Sequence, residues 1–255
     1  MSLYKSSRSI HSASCFNVIS HGVTNIGHIR TKNEDSILLL PEESIWVVAD
    51  GMGGHHAGDF ASQTITQNMS TFKQQSALEK SISLIEENLI NSNTVIRQKA
   101  LELGENATVG STVVTTYIWG KFIFVFWAGD SRLYRHRDNQ LTRLTEDHSY
   151  VEELIKIGKI EAKDAEAHPA SNVVLKAIGV VDDFRVDLSY FEIQNDDIYM
   201  LCSDGLYKDL DESKISDIIQ VGRNNLPLLN ESLLKSSLNA GGSDNTSIIT
   251  IKLAQ

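Results

Sequence analysis

Three apolar runs in this chain each stop on an aspartate: Ile45 to Asp50, Phe122 to Asp130 and Ile198 to Asp204. A fourth, Asp244, stands just before the run Ser247 to Ile251. Short runs so rich in β-branched and aromatic residues read as buried strands, and carboxylates crowded at the rim of adjacent strands repel one another strongly. Divalent cations remove that cost. Each aspartate also sits beside glycine or in a tight turn (Asp50-Gly51-Met52-Gly53-Gly54, Gly129-Asp130-Ser131-Arg132, Ser203-Asp204-Gly205, Gly242-Ser243-Asp244-Asn245), where backbone carbonyls and water also reach an ion. An all-oxygen set favours Mg²⁺ or Mn²⁺ over Zn²⁺. Turn chemistry alone explains an acid next to a glycine. It does not explain why the acids recur at the ends of the most hydrophobic strands.

A chain of 255 residues supports one substantial core. The expected division is a flexible, serine-rich tail over residues 1–14 and a single catalytic domain over residues 15–255. The tail carries Lys5, Arg8 and His11 and lacks the apolar stretch of a secretory signal. A formal charge of −10 argues against a nucleic-acid partner, which calls for a basic stripe. Cys15 and Cys202 form no CxxC pair, as expected of a reduced, cytoplasmic protein. No run approaches the roughly eighteen apolar residues of a membrane span, so no membrane association is expected.

Strand, turn and strand are expected from Phe16 to Asp50, then helices over His55–Phe72 and Ser76–Leu103. The second helix carries Leu78, Ile82, Ile85, Leu89 and Ile96 on one face. A dense β block follows, Ser111–Ile118, Lys121–Ala128 and Leu133–His136, with Asp138-Asn139 turning toward Leu141–Leu144. Ser149 and Glu152 read as the capping box of a short helix ending near Gly158. Lys159 to Asn172 lacks an apolar period and reads as a mobile surface segment. Strands over Val186–Ile193 and Ile198–Cys202, helices over Glu212–Val221 and Pro227–Leu238, and a last strand after Asp244 complete the chain. Helices interrupt an antiparallel framework in two places, which makes the class α+β.

Several chemistries fall away. Gly51-Met52-Gly53-Gly54 has neither the spacing of a dinucleotide loop nor a Gly-Lys-Ser/Thr ending, and no G-x-S-x-G elbow is present. What remains is hydrolysis by metal-activated water. Arg30-Thr31-Lys32-Asn33-Glu34-Asp35, Val48-Ala49-Asp50-Gly51-Met52-Gly53-Gly54, Gly110-Ser111-Thr112, Ala128-Gly129-Asp130-Ser131-Arg132, Ser203-Asp204-Gly205-Leu206 and Ser243-Asp244-Asn245-Thr246 stand in this order. Together they resemble the motifs of the PP2C (PPM) family of metal-dependent protein serine/threonine phosphatases, in its bacterial form. Some bacterial members reverse a Ser/Thr kinase that controls type VI secretion.

The resemblance implies a central antiparallel β-sandwich flanked by helices, in four layers α-β-β-α, with two Mn²⁺ or Mg²⁺ ions at one end. It further implies that Asp50 bridges both ions, that the Gly51 carbonyl binds one, and that Asp204 and Asp244 bind the other. Glu34, with Asp35 nearby, would hold metal-bound waters. Arg30 matches the phosphate-binding arginine, and its forked donors suit two phosphoryl oxygens; a surface ion pair is the plainer alternative. Arg132 is expected to orient a carboxylate, and His148 to serve as a helix-entry residue. His55 and His56 are left out of the ligand set. The implied partners are phosphorylated proteins and a cognate Ser/Thr kinase, with the enzyme acting as a monomer.

Two positions depart from the family pattern. Met52 stands where some eukaryotic members carry a histidine proposed as general acid. Lys208 stands where many relatives carry an acid that, with the equivalent of Asp130, helps bind a third metal, so a third site through Asp130 and Asp204 is expected to be weaker. Asp209 follows one place later. The competing assignments are a metal-dependent phosphoesterase acting on small molecules and a phosphoprotein-binding pseudophosphatase.

Overall fold

The computed structural model describes residues 3–10, 16–53, 57–104, 107–165 and 167–254, with the backbone alone over 3–10. Strands β1 (Leu3–Ile10), β2 (Asn17–Asn25), β12 (Thr246–Ala254), β11 (Ile198–Cys202), β8 (Arg132–Arg137) and β9 (Gln140–Arg143) form one sheet in that spatial order. The second runs β10 (Asp187–Glu192), β7 (Phe122–Ala128), β6 (Val113–Trp119), β4 (Ile45–Gly53) and β3 (Asp35–Leu40), with the short β5 (Val109–Ser111) joined to the end of β4. Every named pairing is antiparallel.

The central strands are apolar on both faces because each face is covered. In β4, Trp46 and Val48 meet Leu201, Ile249 and Ile251 of the other sheet, whereas Ile45, Val47 and Ala49 face the helices α1 (Gly58–Ser70) and α2 (Leu78–Leu103). In β11 the alternation repeats. Tyr199 and Leu201 point into the sandwich, and Met200 and Cys202 pack on α5 (Glu212–Gly222) and α6 (Leu226–Ala240) through Ile215, Ile219, Leu229 and Leu233. Three apolar layers therefore separate four structural ones, the α-β-β-α arrangement expected. Cys202 is a free, fully buried thiol whose pKa burial pushes up, which leaves it unreactive. Cys15 lies outside the described residues.

Residues 3–10 differ from the expected loose tail. They form β1, registered antiparallel on β2 from Leu3↔Thr24 to Ile10↔Asn17. The polar sequence gives little intrinsic strand signal, but the outer edge of β2 offers a row of unpaired backbone groups for it to satisfy. Two further differences are local. A four-residue helix, α4 (Asp204–Tyr207), follows β11, too short to leave a period in the sequence. The helix α3 (Tyr150–Lys156) is capped by Ser149, whose side chain accepts from the Glu152 N–H, yet the Glu152 carboxylate goes to Arg143 instead of closing the box. Asp138 and Asn139, with φ of 50° and 62°, make the expected hairpin turn between β8 and β9. Among the described residues between 159 and 172, regular structure is limited to one 3-10 turn, Ala162–Asp164. Among the described residues no helix is long and apolar enough to cross a membrane.

Candidate active site

The site forms where strand ends from both sheets meet. Register places Asp35 of β3 opposite Asp50 of β4, while Asp204 opens α4 beyond β11 and Asp244 precedes β12. Asp130 sits at the corner after β7, its backbone carbonyl accepting from the Tyr207 hydroxyl at 2.9 Å. Close approach of backbones makes this convergence feasible. A Cβ on Gly51 would fall 2.0 Å from the Gly58 carbonyl oxygen and 2.7 Å from that of Glu34, so glycine is needed for β4, α1 and the 30–34 loop to touch. The Gly51 N–H donates to the Glu34 carbonyl at 3.1 Å.

Arg30, Glu34, Asp50, Gly51, Asp130, Asp204 and Asp244 all line one cleft of about 260 Å³. Asp35 does not: it lies buried behind the wall, its carboxylate accepting from Ser203 Oγ at 2.8 Å. Arg30 Nη2 donates to Asp244 Oδ2 at 2.7 Å, at the exposed mouth. Lys208 forms an ion pair with Asp204 and donates to Asn172 Oδ1 at 2.7 Å, tying the return of the 159–172 segment to the site.

Electrostatics mark the cluster as built for cations. Burial, reinforced by Asp35, Asp204, Asp130 and Asp244, holds the Asp50 carboxyl well above the usual carboxylate range. Burial likewise pushes Asp35 and Asp130 up to about 7, with the charge of Asp204 adding to both. Burial works to lower the Lys208 ammonium, but Asp204, Asp130 and Asp50 outweigh it and hold it above its ordinary value. Arg30 is raised too, first by its hydrogen bond to Asp244.

The donor set fits a hard divalent cation. The Asp50 carboxylate has no hydrogen-bond partner among the described residues, and Asp35 Oδ1 and Asp204 Oδ1 are buried without one. Orphaned carboxylate oxygens facing one another are costly unless a cation satisfies them. Among the described residues, no three acid, histidine or cysteine side chains are drawn together tightly enough to cage an ion unaided. Asp244 and Asp204 are turned onto Arg30 and Lys208. A sparse set of this kind suits an ion that keeps much of its water, as Mg²⁺ does.

Arg132 and His148 fall outside the cleft. Arg132 orients a carboxylate, but that of Asp147, with Nε and Nη2 donating at 2.7 to 3.1 Å, while its guanidinium lies 3.5 Å over the Tyr207 ring. His148 stacks on Trp127 and accepts from the Gly129 N–H at 3.1 Å, so its role is to brace the corner that carries Asp130. His55 and His56 lie outside the described residues. Asn245 organises the site although nothing in its sequence context singled it out beyond the position after Asp244. Its Nδ2 donates to the carbonyls of Ile26 and Lys32 at 2.9 and 3.0 Å, and its Oδ1 accepts from the Glu34 N–H at 2.8 Å, pinning the loop that carries Arg30 and Glu34.

Comparison with known proteins agrees with this geometry. Residues 13–154 match the family model for protein phosphatase 2C. The serine/threonine phosphatase stp of Listeria welshimeri is 33% identical over 238 residues, covering 90% of this chain and 93% of that one. The structure of PppA, described as a key regulatory component of T6SS in Pseudomonas aeruginosa, superposes with a TM-score of 0.84 at 34% identity, covering 92% of this chain and 97% of that one. The catalytic domain of the phosphatase PstP, solved in complex with 2 manganese ions, superposes with a TM-score of 0.82 at 25% identity, covering 93% of this chain and 99% of that one. The chain belongs to the protein phosphatase 2C family and is a serine/threonine phosphatase of the bacterial type.

Proposed function

We propose that the protein hydrolyses phosphoserine and phosphothreonine in proteins with two Mn²⁺ or Mg²⁺ ions, reversing a cognate Ser/Thr kinase and working as a monomer. The observation that carries this is the unpartnered Asp50 carboxylate sharing one small cleft with Asp130, Asp204 and Asp244, with Arg30 at its mouth. Asp50, Glu34, the Gly51 carbonyl, Asp204 and Asp244 would hold the ions. When bound, two such cations supply a deprotonated water for in-line attack on phosphorus and neutralise charge on the phosphoryl oxygens. Arg30 uses one donor on Asp244, which fixes its approach and leaves other N–H groups for the phosphoryl group. Met52 lines the same cleft and has no proton to give a leaving alkoxide. The likeness to PppA favours a kinase of type VI secretion as the activity opposed.

Turnover of a phosphothreonine peptide, a phosphotyrosine peptide and a dinucleotide, each with manganese and with chelator, tests the assignment. The first is expected to be cleaved, with manganese alone, far faster than the others. A preference for the dinucleotide would favour a small-molecule phosphoesterase, and no turnover of any would favour a phosphoprotein-binding role. Arg30→Ala is expected to lower kcat/KM on the peptide about ten- to a hundredfold, from loss of charge-assisted hydrogen bonds worth roughly 1.5–3 kcal/mol each. Unaltered kinetics would make Arg30 a surface ion pair.

A further inference from the structure

A second hollow of about 830 Å³ adjoins the catalytic cleft. Arg30, Asp130, Asn172, Lys208 and Asp244 line both, so the larger space begins where the phosphate cleft ends. A phosphate group has no use for that volume, whereas the residues flanking it in a protein need room of this order.

The chemistry of its lining is uneven. Val151 and Ile155 of α3, with Ala162 and Ala165 beyond, supply an apolar wall. Most charges are already matched within the protein. Arg132 is held by Asp147, and Arg143 lies 3.2 Å from Glu152. Arg30 and Lys208 hold Asp244 and Asp204. Glu212, the first residue of α5, is different. Its side chain is 52% exposed, its Oε1 accepts from the Tyr134 hydroxyl at 3.0 Å, and Arg132 Nη1 is no nearer than 3.9 Å. Its Oε2 has no partner among the described residues. The backbone beneath it is fixed, because the Asp211 side chain caps the helix by accepting from the Lys214 N–H. The hollow thus combines an apolar wall, which suits a methylene stem, with a carboxylate free to receive a cationic head.

We propose that this hollow receives residues flanking the phosphorylated one in a protein substrate, and that Glu212 selects an arginine or lysine there. This rests on the phosphatase assignment above. Glu212 is a specificity-determining residue, outside the catalytic cleft.

Phosphothreonine peptides carrying arginine in turn at each flanking position, compared with the alanine peptide under saturating manganese, test it. In the native protein one position is expected to show kcat/KM about five- to tenfold higher with arginine than with alanine. Glu212→Gln should bring that ratio close to one, and Glu212→Lys should reverse it in favour of glutamate at the same position. Both readouts are ratios within one variant, so a general loss of activity or stability does not produce them. A native protein without positional preference for arginine, or a preference that survives Glu212→Gln, would overturn the assignment of Glu212 alone. A native protein that cleaves no phosphothreonine peptide would overturn the phosphatase assignment with it.

Discussion

Lys208 sets the balance of charge in the site at the level of a single side chain. Its ammonium faces Asp204, Asp130 and Asp50 and reaches Asn172, so one residue offsets carboxylate repulsion and anchors the neighbouring segment. An ammonium repels a divalent cation and offers no oxygen to it. Manganese titration of the native protein should therefore find two ions bound much more tightly than any third. Lys208→Asp should tighten the third at least about tenfold and leave the first two unchanged. Three equally tight sites in the native protein would contradict this. The position was legible in the sequence because the residue type is wrong for a ligand set. Its partner Asn172 was not, since nothing local to Asn172 announces a contact 36 residues away.

At the scale of elements, short polar staples do what strand packing cannot. Asn245 joins the start of β12 to the loop after β2 through three hydrogen bonds. Asn245→Ala should cost about 3 kcal/mol if each contributes about 1 kcal/mol, which corresponds to a fall in Tm of roughly 6–12 °C for a domain of this size. The same variant should raise KM for phosphopeptide, because Arg30 and Glu34 lose their anchor. A Tm within 1–2 °C of the native value would refute the staple. The long elements were readable because each carries its own period: alternate burial in β4 and β11, and the apolar stripe of α2. The elements missed lack one. α4 is a single turn, and β1 owes its place to the open edge of β2 rather than to its own residues.

For the whole molecule, the site is a source of instability that cations should relieve. Asp35 and Asp130 titrate near 7 in the fold, against about 3.9 unfolded, so the native state holds more protons than the unfolded state between those values. Stability from these groups is therefore lost as pH rises from about 4 to 7. A divalent cation takes over the role of the protons. At one fixed concentration, Mg²⁺ or Mn²⁺ should stabilise more at pH 8 than at pH 5.5, where protons raise the apparent Kd, and where that concentration is a hundredfold excess over Kd the gain should approach about 2.7 kcal/mol per site. Thermal melts with chelator and with metal at both pH values would show it; an equal shift at both would contradict the coupling. The four layers that hold this strain were legible from the apolar runs. The separation of Asp35 from the cleft was not, because Glu34 ends the loop and Asp35 opens β3, and sequence alone does not say which of these two adjacent acids looks into the cleft.

The claim on which the rest depends is that the carboxylates around Asp50 exist to hold a pair of divalent cations. Calorimetric titration of manganese into the native protein and into Asp50→Asn, with circular dichroism to verify the fold, addresses it most directly. The native protein should bind two ions tightly, and Asp50→Asn should keep its secondary structure while losing about a hundredfold or more in affinity, with turnover abolished. Two ions bound by Asp50→Asn at native affinity, or near-native turnover by that variant, would contradict it.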